Sequence, residues 1–334
     1  MLVLSLSSFA YSLLLLADYW EYEEVPSNIE QKFKRNITLT QMKVEIEKQI
    51  AQKNLSEARS TVQLATHFSY DIDASSYRDR IDSLDTFEYR ASNNTKDFFN
   101  GFTSGKGNTG AAIAGAITSD FTVIGDVRDL SEQYQIHQEG REVNQLIIGL
   151  SGIGIGLTAL TVGSAGTTAP IKAGASVLKF AGKTGRLSRR FSQELLQKAQ
   201  RTFDWNKFTR LSKTDNSLSG IKQAATQAFN PRAMKPLSDL INQSNSIRKA
   251  TSTIDTIHLL KYVETADDLK RINKIAMKHG KHTKGIMKFL GKGALRGAKI
   301  LKKSFGLMMS ALSLLLSGIL SLYFMFPARK RKLA

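Results

Sequence analysis

The chain has 334 residues with 47 Lys and Arg against 29 Asp and Glu, a formal net charge of +18, and no cysteine. The missing cysteine excludes disulfides, thiolate metal sites and cysteine nucleophiles. The charge is split: residues 1–142 carry 14 basic and 21 acidic side chains, the remainder carries 33 and 8, and no acid follows Asp268. Such asymmetry points to anionic lipid, nucleic acid or an acidic partner, and because the basic part also holds the longest apolar runs, lipid head groups are the simplest counterpart.

Residues 1–17 form an uncharged apolar segment of about 25 Å as a helix, an anchor or signal-like stretch. It lacks the basic start of a secretory signal, and Leu15 occupies the position two before Ala17 where a cleavage site wants a small residue. Tyr19, Trp20 and Tyr22 follow among acids, as interfacial aromatics do. Residues 18–99 read as a helical hairpin module. Leu39, Met42, Ile46 and Ile50, then Leu55, Ala58, Val62 and Ala65, keep helical spacing on either side of a break at Lys53 and Asn54, and Ile81 with Leu84 suggests a third helix. The stretch Asn54 to Arg59 resembles the start of the second helix of a tetratricopeptide-type hairpin, and no 34-residue period repeats it. Such a module, over residues 38–90, is either a contact surface for another membrane or envelope protein or a plain helical spacer.

Residues 100–171 are glycine-rich. The apolar patch Ala111–Ile117 is too interrupted, with Asp120 close behind it, to read as a span by itself; the uncharged run Gln145–Ala169 reads as a membrane span, and the two could pair as a helical hairpin, with Gly152 and Gly156 permitting close approach. Residues 172–303 are basic and helical in pattern, broken at Ser212–Gly220 and at Asn230–Pro236. From Leu269 to Lys303 cations alternate with Ile272, Ile275, Ile286, Phe289, Leu290 and Leu295, a basic amphipathic helix suited to an anionic bilayer surface. The expected lipid-binding residues are Lys284, Lys288, Lys292, Arg296, Lys299, Lys302 and Lys303. Residues 304–326 carry no charge and would reach about 34 Å as a helix, enough for a transmembrane helix. Gly306, Ser310, Ser313, Ser317 and Ser321 form a small-residue stripe where another helix could pack, or where the hydroxyls return to their own backbone. Pro327 and a basic tail, residues 327–334, close the chain.

Motifs for chemistry are weak. Gly105, Gly107 and Gly110 lack a preceding strand, and Gly182, Lys183, Thr184 lack the first glycine of a phosphate loop, where Val177 stands. His279 and His282 sit among lysines and read as exposed, while His67, His137 and His258 read as isolated. Asp120, Asp126, Arg128 and Asp129 form the acid-rich knot beside an apolar stretch, a candidate membrane-edge polar site; a simpler role has Asp126 cap a helix running through Leu130 and Tyr134. No cofactor, metal or small-molecule ligand is implied.

The pattern Ser119, Asp120, four residues, Gly125, Asp126, Val127, Arg128, Asp129, Leu130, then the glycine-rich run, and later Asp267, Asp268, Leu269 with Lys281 to Leu290, resembles a group of uncharacterised bacterial membrane proteins. The resemblance covers about residues 40–300 and implies helical structure and a bacterial envelope location, with no activity attached. The glycine run is also similar to helical pre-toxin segments of polymorphic toxins. The expectation is an all-α, multi-pass inner-membrane protein without catalysis, a scaffold that binds anionic lipid. The rivals are a membrane-active toxin or pore-former and, through the basic half, a nucleic-acid binder.

Overall fold

Thr38 opens a helix by accepting from the Gln41 backbone N–H while the Gln41 side chain accepts from the Thr38 N–H, a reciprocal cap that fixes where the hairpin module begins. Around it the computed structural model describes residues 7, 22–25, 28–86, 123–163, 169–295, 298–301 and 312–319. The module comprises α1 (Ile29–Asn36), α2 (Leu39–Ala51), α3 (Leu55–His67) and α4 (Ala74–Leu84). Lys53 takes a positive φ of 56° in the turn between α2 and α3, where the periodicity placed the break. Ile46, Ile50, Leu55, Ala58, Val62 and Ile81 close a small core of their own, whereas Leu84 stays exposed. Met42, Leu64, Ala65 and Phe68 face the other way and join the main core.

That main core is built around α6 (Gln145–Gly163), enclosed by α5 (Val123–Gln138), α7 (Ala169–Lys183), α8 (Arg189–Thr202) and α10 (Leu218–Ala228). A helix apolar on all sides must be buried on all sides. Leu146, Ile147, Ile148, Leu150, Ile153, Ile155 and Leu157 are all buried, an upper-bound gain of about 10–20 kcal/mol from burial. The glycines make the enclosure tight: the ring of Phe203 lies where a Cβ on Gly152 would sit, and that of Phe229 where one on Gly156 would. Gly152 and Gly156 thus meet aromatic rings at the ends of α8 and α10. The patch Ala111–Ile117, their expected partner, lies outside the described residues.

Among the described residues no helix is long and apolar enough to cross a membrane. The aliphatic side chains from Leu146 to Leu157 pack on neighbouring helices, whereas Leu160 stays exposed.

The rest of the unit wraps this core. α9 (Trp205–Ser212) packs on α10, α11 (Lys235–Ala250) lies along α7 and α13, and α12 (Thr253–Leu260), α13 (Ala266–His279) and α14 (Thr283–Leu290) follow. The stretch expected as one basic helix from Leu269 onward is broken. Gly280 and Gly291, each at φ 54°, end α13 and α14, and 3-10 turns at Gly280–His282 and Gly291–Leu295 fill the gaps. Residues Ile29–Leu295 form one unit, and Lys32 donates to the Gly293 carbonyl at 2.5 Å, so the two ends of that unit meet.

The second unit contains both chain ends, Met1–Asn28 and Arg296–Ala334. In it β1 (Tyr22–Val25) pairs antiparallel with β2 (Ala298–Leu301), Tyr22 opposite Leu301 and Val25 opposite Ala298. Residues 312–319 are helical, and the Ser317 hydroxyl donates to the Leu314 carbonyl at 3.1 Å, the self-satisfied alternative for that serine. Gly306, Ser310 and Ser321, with Arg296, Lys302 and Lys303, lie outside the described residues. Apart from the ribbon and a single bridge between Phe203 and Phe229, the described elements are helical, and the fold is all-α.

Candidate functional site: buried charges on the central helix

Asp126 and Asp129 stand three apart on α5 and share one face. On α7, Lys172, Lys179 and Lys183 stand at spacings of seven and four and share another. The two faces meet. Lys179 reaches Asp126 at 2.5 Å and Asp129 at 2.8 Å, and Lys183 reaches the other oxygen of Asp129 at 2.7 Å. The relative exposures of Lys179, Asp126 and Asp129 are 1, 2 and 3%, so these charges lie in the core, where an unpaired one would be prohibitive.

α6 is shaped to admit them. A Cβ on Gly154 would stand 2.3 Å from an Asp126 carboxylate oxygen, so the missing side chain is what lets the carboxylate lie against the apolar helix. One turn away the Ser151 hydroxyl donates to Asp129 at 3.4 Å. Lys172 donates to the Thr158 hydroxyl at 2.9 Å, and that hydroxyl donates on to the Gly154 carbonyl. Three helices are therefore stitched by one polar seam through an otherwise apolar interior.

The two carboxylates are not equivalent. Burial pushes Asp126 up to about 6, against the pull of Lys179 and Lys172 and with a push from Asp129. One of its oxygens, Oδ2, is buried with no hydrogen-bond partner. Burial raises Asp129 as well, but Lys179 and Lys183 together outweigh it and hold its pKa below the usual range. Lys172 is lowered, first by burial. The seam pairs a firmly ionised carboxylate with one poised to take up a proton.

Asp126 is not the helix cap that its position suggested. α5 begins at Val123, and the carboxylate turns inward to Lys179. Arg128 points outward and approaches Asp129 at 3.6 Å, while Asp120 lies outside the described residues. Lys172, Lys179 and Lys183 were missed, although a lysine between Leu178 and Phe180 in an apolar stretch was a legible sign. Lys183 serves Asp129 and Thr184 returns its hydroxyl to the Phe180 carbonyl, so the phosphate-loop likeness has a structural explanation.

Of the expected lipid-binding residues, Lys284, Lys288 and Lys292 are engaged in ion pairs within the protein. Lys284 pairs with Glu57 and lies 3.5 Å from Asp255, Lys288 pairs with Glu45 at 2.8 Å, and Lys292 pairs with Glu264. Lys299 lies in β2. Three of the histidines read as exposed or isolated converge: His67 and His279 approach nitrogen to nitrogen at 3.1 Å, and His282 stacks on His67 with centroids 4.3 Å apart, while His137 lies against Trp205 and His258 beside Arg186. The helix break at Gly280 turns His282 back onto α3, which a straight helix would not have done. Among the described residues no group of three or more such side chains could hold a metal ion.

No family model, curated protein or solved structure matches this chain. The reading of what it does therefore rests on its own residues.

Proposed function

We propose that this chain is a non-catalytic, membrane-anchored protein of the bacterial envelope that holds a helical unit, Ile29–Leu295, against an anionic bilayer as a scaffold for protein contact. The carrying observation is the antiparallel pairing of Tyr22–Val25 with Ala298–Leu301. The strand that follows the N-terminal apolar run lies beside the strand that precedes the C-terminal one. On this reading residues 1–17 and 304–326 are both anchors, residues 29–295 and the basic tail 327–334 belong to opposite sides of the membrane, and α6 stays in the core of its own unit. The basic excess after Glu142 is the part of the chain that anionic head groups attract.

The chain has no native thiol, so Asn216→Cys and Ala334→Cys can be labelled singly with an impermeant thiol reagent on intact and opened cells. The expected result is protection of one position and labelling of the other in intact cells. Labelling of both, or protection of both, overturns the paired-anchor arrangement.

A membrane-active reading has one observation in its favour, the charge-free 19-residue helix α6 held by a carboxylate poised to take up a proton. Acid-dependent leakage of anionic vesicles by the full chain would support it, and lipid association without leakage would leave the anchored scaffold.

A further inference from the structure

The seam between α3 and the segment from Gly280 to Leu290 is crowded with titratable groups. His67 comes from α3, His279 from α13 and His282 from the turn after it. His279 is 7% exposed, packs near Phe68, and its Nε2 is buried with no hydrogen-bond partner. Lys278 and Lys281 flank the cluster and Glu30 of α1 faces it, a carboxylate whose charge favours the protonated form of His279. At the other end of the same seam His258 of α12 lies 3.4 Å from Arg186 and beside Lys284, Asp255 and Glu57. Lys284 and Lys288 of α14 cross the seam to Glu57 and Glu45, while Ile286 and Met287 bury the apolar face of α14 beneath it.

Two neutral imidazoles at 3.1 Å can share one N–H between a donor and a lone pair; two imidazoliums present N–H to N–H, losing the bond and gaining repulsion. We propose that this cluster is an acid-operated latch: protonation parts α3 from the end of α13 and from α14, and frees the cations and apolar face of α14 for an anionic bilayer. The inference rests on the anchored reading above and adds when the lipid contact forms. It also accounts for why lysines spaced for a membrane surface sit in internal ion pairs.

The direction of titration agrees. Burial, then the charges of His67, Lys278 and His282, lower His279 to about 4, and burial, then His67 and Lys281, lower His282. Burial, then Lys284 and Arg186, lower His258 to about 4. A histidine depressed in the closed form stabilises it fully above its ordinary value of about 6.5, and that contribution is lost as pH falls toward 4. Glu45, which burial would raise, is held below its ordinary value by the hydrogen bond and charge of Lys288, so its titration is displaced to the acid side.

The test uses the full chain in lipid nanodiscs, with spin labels on Ser56→Cys of α3 and Met277→Cys of α13, both exposed, and the label-to-label distance measured from pH 7.5 to 4.5. In zwitterionic discs a single distance at pH 7.5 should give way to a longer, broader one with its midpoint between about 6.5 and 4, while helix content by circular dichroism is kept. His67→Gln and His279→Gln, each alone, should move that midpoint down or abolish it. An unchanged distance, a transition untouched by both variants, or loss of helix content at the same midpoint overturns the latch. In discs containing photoactivatable anionic lipid, crosslinks to residues 284–292 should appear only at acid pH. Opening without those crosslinks overturns the lipid contact and leaves the latch standing.

Discussion

At the residue scale the core depends on where side chains are missing and where charges are matched. A Cβ on Gly174 would stand 2.2 Å from the Ile241 carbonyl oxygen, a backbone atom of α11 that cannot swing aside. Gly174→Ala should therefore cost about 1–3 kcal/mol, read as a lower melting temperature of the full chain in detergent. Gly182 has nothing nearer than 3.4 Å on the same helix, so Gly182→Ala should be neutral or raise stability by up to about 1 kcal/mol through helix propensity. Lys179 is the harsher case: Lys179→Met leaves two buried carboxylates facing each other, a loss of about 3–5 kcal/mol, partly recovered when Asp126→Asn and Asp129→Asn are added. Asp126 also sets a pH signature. Its folded pKa lies above that of the free side chain, so its contribution is present below about 4 and lost as pH rises through about 6. Asp126→Asn should thus compare better with the parent in denaturant at pH 7.5 than at pH 4. The acid knot was visible in the sequence, but its partner stands 53 residues away on a helix whose packing no local spacing encodes.

At the element scale, periodicity located what it could. The hairpin break at Lys53 and Asn54 and the breaks near Ser212 and Pro231 were legible because apolar spacing slips there and turn-forming residues intervene. The split of the last basic stretch into α13 and α14 was not, because the pattern of cations and aliphatics runs on across Gly280, whose positive φ no local spacing announces. The apolar run of α6 was read as a membrane segment for a related reason: hydropathy alone cannot tell lipid from four surrounding helices. The start of α13 offers a direct measurement. Thr265 and Asp268 form a reciprocal cap, and Asp268 also accepts from the Glu264 N–H. Thr265→Ala should cost about 1 kcal/mol, seen as faster amide exchange confined to the first turn of α13, whereas uniform acceleration along the helix would assign the cap a wider role.

At the scale of the whole molecule the decisive feature is that distant parts of the chain return to one another. Lys32 meets Gly293 in the helical unit, and four residues near each end pair as β1 and β2 in the other. Neither return was legible: Tyr22–Val25 reads only as an acid-flanked interface stretch, and Ala298–Leu301 as the tail of a basic helix. Two short strands form a marginal ribbon unless something holds them together, and the anchors proposed above would supply that constraint. Register gives the test. Glu23 stands opposite Ile300 and Glu24 opposite Lys299, so with no native cysteine, oxidation should join Glu23→Cys to Ile300→Cys or Glu24→Cys to Lys299→Cys. The alternation of wide and narrow pairs in an antiparallel ladder should make one of the two react faster. The product is a closed loop of nearly the whole chain, recognised by faster, reductant-sensitive migration in a denaturing gel. Glu23→Cys with Ala298→Cys, two residues out of register, should stay open. Equal crosslinking of the matched and shifted pairs would mean that the ends only collide, and the paired-anchor arrangement would lose its structural basis.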